Sequence, residues 1–120
     1  MLRGIRGAVT VEENTAEAIE EGTKELLQEM MEKNKITAGD IVSALFTVTN
    51  DLNAAFPATA ARQCVDWDKV PMLCSVEIPV PGALPLCIRA LLHIDTEIAQ
   101  KDIQHIYLRN AAALRKDLVR

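Results

Sequence analysis

The feature that most constrains the fold of this 120-residue sequence is a single long segment, residues 14–35, with the periodicity of an amphipathic helix. Side chains suited to burial recur there at three- and four-residue spacing: Ile19, Thr23, Leu26, Leu27 and Met30. Asn14 or Thr15 is suited to cap the start, and Asn34 and Lys35 are expected to end the helix. Most acidic side chains of the segment fall off the apolar stripe, so we expect this helix to be scaffold.

The other patterned segments favour strands, because they are short and either alternate or are rich in β-branched residues. Strands are predicted at 2–11, 41–49, 70–78, 86–94 and 105–108. The apolar run 41–49 is expected to be covered on both faces of its sheet. Capped or polar turns are predicted at 37–40 and 65–69, and short helical turns at 58–63, 96–102 and 110–115. The proline-rich stretch 79–82 is expected to be a loop or a sheet edge.

These elements predict an α+β fold of about five strands, one long helix and short helical turns, forming one domain over residues 1–120. The hydrophobic fraction of 49% provides a core, which should be mainly aliphatic because only 3% of the residues are aromatic. Burial stabilises a domain of this size only modestly, so a subunit interface would add stability.

Composition argues against several classes of function. The net charge is −4, and the basic residues form neither a run nor a helical stripe, so nucleic acid is not an expected partner. No stretch reaches the roughly 18 apolar residues of a membrane helix, and the N-terminus does not resemble a signal peptide. Three cysteines without Cys-x-x-Cys spacing favour reduced thiols in the cytoplasm over disulfides or zinc. A small anionic ligand bound by arginines remains possible.

Arg89 is the most unusual residue, because it interrupts an otherwise apolar strand. One interpretation is structural: an arginine on an edge strand facing solvent, or paired with Glu77 across the sheet. The other is functional, since an inward-facing guanidinium is costly unless it meets an anion. The sequence pattern alone leaves both open.

Other candidate residues have equally ordinary explanations. Arg3 and Arg6 lie among glycines, which would let a ligand or another chain approach closely, but a polar strand face fits as well. Glu77 could be a base, an acceptor or an exposed residue at a strand end. Tyr107 in a short apolar strand is more often core than catalytic, and Cys74 has no basic neighbour in sequence to activate it. The residue patterns alone therefore do not name a function.

Four segments, in order and covering essentially the whole chain, resemble the AroH class of monofunctional chorismate mutases. They are RGIRGAVTVEENT, TNDLNAAFPATAAR, VPMLCSVEIPVPGALPLCIRALL and HIYLRNAAALRKDL. The resemblance implies a mixed five-stranded sheet packed against helices, in a homotrimer with active sites between adjacent subunits. It also implies rearrangement of chorismate to prephenate without a cofactor or a metal.

The resemblance carries over residue by residue and makes Arg89, Glu77 and Arg6 the expected catalytic residues. Arg89 matches the arginine that donates to the ether oxygen of the breaking bond. Arg6 and Tyr107 match residues that bind the enolpyruvyl carboxylate, and Glu77 matches the acceptor for the ring hydroxyl, with Cys74 beside it. The remaining matches are Phe56, Ala58, Leu73 and Leu114 in the wall of the site, and Arg62 and Arg115 at its mouth. Thr59 departs from the family pattern, which has a charged side chain there.

Two other functions are compatible with a small domain of this kind. A trimeric hydrolase acting on reactive imines would have a similar architecture and an arginine-lined cleft, but would not turn over chorismate. A regulatory module would bind an amino acid or an aromatic metabolite without forming a product. Neither accounts for the four matching segments.

Overall fold

The computed structural model describes residues 1–114, and in it two helices cover one face of a five-stranded sheet. The strands are β1 (Leu2–Thr10), β2 (Ile41–Val48), β3 (Met72–Val76), β4 (Cys87–Asp95) and β5 (Ile106–Leu108). The helices are α1 (Ala16–Asn34) and α2 (Pro57–Arg62). Short 3₁₀ turns lie at Ala38–Asp40, Trp67–Lys69, Gln100–Asp102 and Arg109–Ala113. The predicted α+β fold, with one long helix and a mixed five-stranded sheet, is confirmed.

The order of the strands across the sheet is β3-β2-β4-β1-β5, so β4 lies in the middle. It pairs antiparallel with both of its neighbours, β1 and β2. The outer pairs, β1 with β5 and β2 with β3, are parallel. This order brings together strands that are far apart in the chain.

Helix α1 begins and ends where the sequence predicts. The Thr15 side chain accepts a hydrogen bond of 3.1 Å from the backbone N–H of Ala18, which satisfies one free donor of the first turn. At the other end Lys35 adopts the left-handed conformation (φ 54°) and closes the helix. The apolar stripe of α1 is buried, as expected from its spacing.

The main core lies between α1 and the sheet. Gly7 on β1 allows the helix to pack closely, because a Cβ atom at this position would lie 2.5 Å from Sδ of Met30. The sequence pattern suggested that this glycine admits a ligand or another chain, but its close neighbour is the chain's own helix. Trp67, predicted in a polar turn, is fully buried in this core. The core is otherwise mainly aliphatic, as expected.

The opposite face of the sheet is largely open in the single chain. Val42 and Leu45 on β2 are 48% and 40% exposed, so the prediction that this strand is covered on both faces is wrong for one chain. Leu73 on β3 is 69% exposed and pairs directly with Leu45. Burial within a single chain therefore does not explain why these exposed side chains are apolar.

None of the helices in the described part of the chain is both long enough and apolar enough to cross a membrane.

Candidate active site

A row of four side chains crosses the open face of the sheet. Tyr107 on β5 pairs with Ala8 on β1, Ala8 pairs with Arg89 on β4, and Arg89 pairs with Thr47 on β2. Residues paired directly across strands point to the same face, so the four side chains are neighbours. The small side chain of Ala8 leaves a gap between the phenol of Tyr107 and the guanidinium of Arg89.

This gap is part of a pocket of ≈ 350 Å³, which is large enough for a small organic anion. Its lining includes five residues singled out from the sequence: Arg6, Glu77, Arg89, Tyr107 and Leu114. Apolar side chains from β2 and β4, Leu45 and Leu91, complete one wall. The pocket thus combines two arginines, one carboxylate and one phenol on an apolar floor.

Arg89 lies on the central strand, so the interpretation as a residue of an edge strand is wrong, whereas the alternative pairing with Glu77 across the sheet is present as a long salt bridge. Its Nε atom is 3.8 Å from Oε2 of Glu77, which is longer than a direct hydrogen bond. This Nε atom is buried and has no hydrogen-bond partner within residues 1–114. The whole side chain is nevertheless 41% exposed, because its outer part borders the pocket.

Glu77 directly follows β3 and is fixed by two contacts with β2. Its backbone N–H donates to the carbonyl of Val48 at 2.8 Å, which extends the β2–β3 pairing by one residue. Its Oε2 atom accepts a hydrogen bond of 2.7 Å from the hydroxyl of Thr47. Thr47 was not among the expected site residues, since a threonine within an apolar strand is ordinary.

Cys87 and Ala111 are buried behind Tyr107 and Leu114 in a small second core. Burial raises the pKa of the Cys87 thiol, and the positive charge of Arg89 opposes that shift. The cysteine therefore stays protonated at neutral pH and serves as packing for the pocket. This packing role of Cys87 was not expected from the sequence.

Arg6 lies at the exposed mouth of the pocket. Its backbone N–H donates to Nδ1 of His105 at 2.9 Å, a contact that joins β1 to the residue just before β5. Arg6 and Tyr107 are thereby carried on two strands held together at this end. Across residues 1–114, no group of three or more His, Cys, Asp and Glu side chains is arranged to hold a metal ion.

Comparison with known proteins identifies the family. Residues 2–118 match the family Chorismate mutase type I. The chain belongs to this family. Chorismate mutase AroH of Thermus thermophilus is 51% identical over 119 residues, covering 98% of this chain and 97% of that protein. Chorismate mutase AroH of Bacillus subtilis (strain 168) is 44% identical over 118 residues, covering 98% of this chain and 93% of that protein.

A solved structure of a chorismate mutase from Clostridium thermocellum has the same fold. It superposes with a TM-score of 0.89 at 50% sequence identity, covering 92% of this chain and 97% of that chain. The resemblance noted in the sequence is thus confirmed for both family and fold.

Three of the remaining residues expected from the chorismate mutase resemblance lie outside the pocket of their own chain. Phe56, at the start of α2, is 69% exposed, and Arg62 at the end of α2 is also exposed. Ala58 is 7% exposed and packs in the main core. Arg115 falls outside the described residues.

Leu73 and Cys74 on β3 point to opposite faces of the sheet. Leu73 shares the open face with Leu45, whereas the half-buried thiol of Cys74 packs against the main core. In the parallel pairing of β2 and β3, every second residue of β3 directs its backbone N–H and C=O toward β2. Two hydrogen bonds show which residues these are: the N–H of Ala44 donates to the carbonyl of Pro71, and the N–H of Glu77 donates to the carbonyl of Val48. By that alternation the backbone N–H and C=O of Cys74 point away from β2, toward the edge of the described sheet.

Proposed function

We propose that this member of the chorismate mutase family rearranges chorismate to prephenate in the pocket on the open face of the sheet. The family membership and the named relatives support the activity, which belongs to the biosynthesis of aromatic amino acids. The position of Arg89 supports the site: a guanidinium on the central strand, with its inner nitrogen unpartnered within the described residues and its outer part bordering the pocket.

The reaction is a one-step pericyclic rearrangement. The ether carbon–oxygen bond breaks while a carbon–carbon bond forms, and no proton is transferred and no covalent intermediate forms. An enzyme for this reaction must hold a flexible dianion in its compact shape and stabilise the negative charge that develops on the ether oxygen. The chemistry itself requires neither a cofactor nor a metal.

Arg89 is the donor for the ether oxygen in this proposal. A guanidinium remains charged at all physiological pH values and presents several N–H donors in a fixed plane. Its place in the middle of the sheet limits its movement, so that it is oriented before the substrate binds. Such preorganised donors supply a large part of the stabilisation of charged transition states.

The remaining polar groups of the pocket orient the substrate. Arg6 and Tyr107, on adjacent strands β1 and β5, bind the enolpyruvyl carboxylate. Glu77 accepts a hydrogen bond from the ring hydroxyl. Leu114 closes one side of the pocket near Tyr107.

We further propose that the enzyme is a homotrimer in which a neighbouring subunit completes each site. The exposed side chains of Phe56, Arg62 and Leu73 would then lie at the interface, with Ala58 beneath them and Arg115 at the mouth. Cys74 would contribute through its backbone, because its thiol packs in the core. A second subunit would also cover Leu45, which is exposed in the single chain.

We also propose a cytoplasmic location. Cys64, Cys74 and Cys87 are all free thiols, which is typical of proteins in a reducing compartment.

The test is continuous ultraviolet monitoring of chorismate with the purified protein in the presence of a metal chelator, with prephenate confirmed as the product. We expect saturable turnover, and a loss of at least about 10²–10³-fold in kcat for Arg89→Ala. Arg3→Ala is the control, because Arg3 lies on the same strand as Arg6 but donates to the carbonyl of Ile98 outside the pocket.

Two outcomes would contradict the proposal in different ways. A folded Arg89→Ala variant with near-normal turnover would remove Arg89 from the mechanism. Absence of chorismate turnover by the folded native assembly would contradict the activity and favour the imine hydrolase. Sedimentation of the native protein tests the trimer separately.

A further inference from the structure

Thr47 lies directly between the two charged groups of the site. It is the cross-strand neighbour of Arg89, and its hydroxyl donates to Oε2 of Glu77 at 2.7 Å. This length is typical of a strong hydrogen bond from a hydroxyl to a charged carboxylate. Within residues 1–114, Oε2 is the Glu77 carboxylate oxygen that accepts a hydrogen bond, while Oε1 accepts none.

The same Oε2 atom lies 3.8 Å from Nε of Arg89, about 1 Å beyond a direct charge-assisted bond. A buried guanidinium nitrogen without a partner is costly, and a small movement of the Glu77 carboxylate would satisfy it. Glu77 therefore has a strong electrostatic reason to close onto Arg89. The hydrogen bond from Thr47 holds the carboxylate back on the β2 side.

We propose that Thr47 is a positioning residue that keeps the Glu77 carboxylate from shortening its salt bridge with Arg89 into a direct hydrogen bond to Nε. The inference rests on the proposed function, in which Arg89 serves the ether oxygen and Glu77 the ring hydroxyl. With Oε2 held by Thr47, Oε1 stays open to a ligand hydroxyl. The guanidinium also keeps its N–H donors available to the pocket instead of using them in a hydrogen bond to the carboxylate.

Loss of the Thr47 hydroxyl should affect catalysis through Glu77 rather than through the fold. Without it, the carboxylate closes onto Nε of Arg89, and the arginine stabilises the developing negative charge less well. We expect Thr47→Val to lower kcat by roughly tenfold or more, with a smaller change in KM. Valine has nearly the same shape and favours strands, so β2 should form normally.

Two comparison variants separate this role from simple packing. Thr47→Ser keeps the hydroxyl and should restore kcat to within about threefold of the native value. Ser75→Ala is the matched control, because Ser75 is the exposed β3 neighbour of Thr47 in the same row, whereas the Glu77 carboxylate bonds to Thr47. It should leave kcat within about twofold of native, as is usual for an exposed substitution.

A double-mutant cycle with Glu77→Gln is the decisive measurement. A neutral amide is not drawn to the guanidinium, so adding Thr47→Val to Glu77→Gln should lower kcat by less than about twofold further. An equal loss in both backgrounds would overturn the inference, and so would a Thr47→Val enzyme as active as Thr47→Ser. If Thr47→Val does not fold, Thr47→Ala in the same cycle gives the same comparison.

The assay also separates this inference from the proposed function. If the native enzyme does not turn over chorismate, the proposed function fails and the role assigned to Thr47 fails with it. If the native enzyme is active and Arg89→Ala is not, but Thr47→Val is unchanged, only the role of Thr47 is overturned.

Discussion

Asn34 and Gln104 are joined by two hydrogen bonds that run in opposite directions. The side-chain amide of Asn34 donates to the carbonyl of Gln104 at 2.9 Å, and its oxygen accepts from the N–H of Gln104 at 2.8 Å. Asn34 is the last residue of α1 and is 2% exposed. The pair therefore fixes the segment that leads into β5, the strand that carries Tyr107 into the pocket.

Replacement of Asn34 should be unusually costly for a polar residue at a helix end. Asn34→Ala leaves the N–H and the C=O of Gln104 without these partners, so we expect the free energy of unfolding to fall by about 2–4 kcal/mol. Chemical denaturation measures the change, and Lys33→Ala at the exposed neighbouring position should change it by less than about 0.5 kcal/mol. Equal stability of the two variants would show that the pair is unimportant.

The close packing of α1 on β1 gives a second prediction. In Gly7→Ala the new methyl group would meet Sδ of Met30 at 2.5 Å and Cδ1 of Leu26 at 2.9 Å. We expect a loss of about 1–3 kcal/mol in the free energy of unfolding, which is typical of overpacking a core. Gly4→Ala on the same strand is the control, because its nearest heavy atom would be 3.6 Å away, an ordinary contact. A Gly7→Ala protein as stable as Gly4→Ala would mean that the helix shifts without cost.

The buried thiol of Cys87 makes stability depend on alkaline pH. Burial raises its pKa above the ordinary value of 9.0, with Arg89 opposing the shift. The folded state therefore keeps this proton to a higher pH than the unfolded state. Its contribution is fully present below about pH 9 and is lost as the pH rises through the raised value.

We expect Cys87→Ala to flatten the decline in the free energy of unfolding as the pH rises above the ordinary thiol pKa of 9.0. Burial also raises the pKa of Cys64, so the double variant with Cys64→Ala should be flatter still. Denaturant titrations at several pH values provide the measurement. Parallel curves for the native protein and Cys87→Ala would contradict the prediction.

The sequence predicts the elements of this fold well, because periodicity and caps are local. Thr15 and Lys35 lie at the helix ends that the pattern indicated, and the alternation in β4 places Arg89 and Leu91 on one face. The order of the strands is not local information, since β1 lies between two strands that come much later in the chain. The meeting of Arg6, Glu77 and Tyr107 in one pocket therefore came from the family resemblance and not from spacing.

Three features of the structure differ from what the composition of a segment indicates or lie beyond it. The run 41–49 looked covered on both faces because Val42 and Leu45 are apolar, yet the single chain does not cover them. The polar turn predicted at 65–69 is present, but its composition did not indicate that the Trp67 ring is directed into the core. Thr47 carried no signal at all, and only its register against Arg89 reveals its position.

The row of paired side chains from Tyr107 to Thr47 also limits where residues can be inserted into or deleted from this chain. Side chains alternate along a strand, so deleting one residue within β4 ahead of Arg89 would turn the guanidinium toward α1 and bring an apolar neighbour to the pocket. Insertions in the connections between strands leave that alternation intact. The pocket is thus sensitive to the residue count inside each strand and to the position of Glu77 directly after β3, and less sensitive to the length of connections that carry none of its residues.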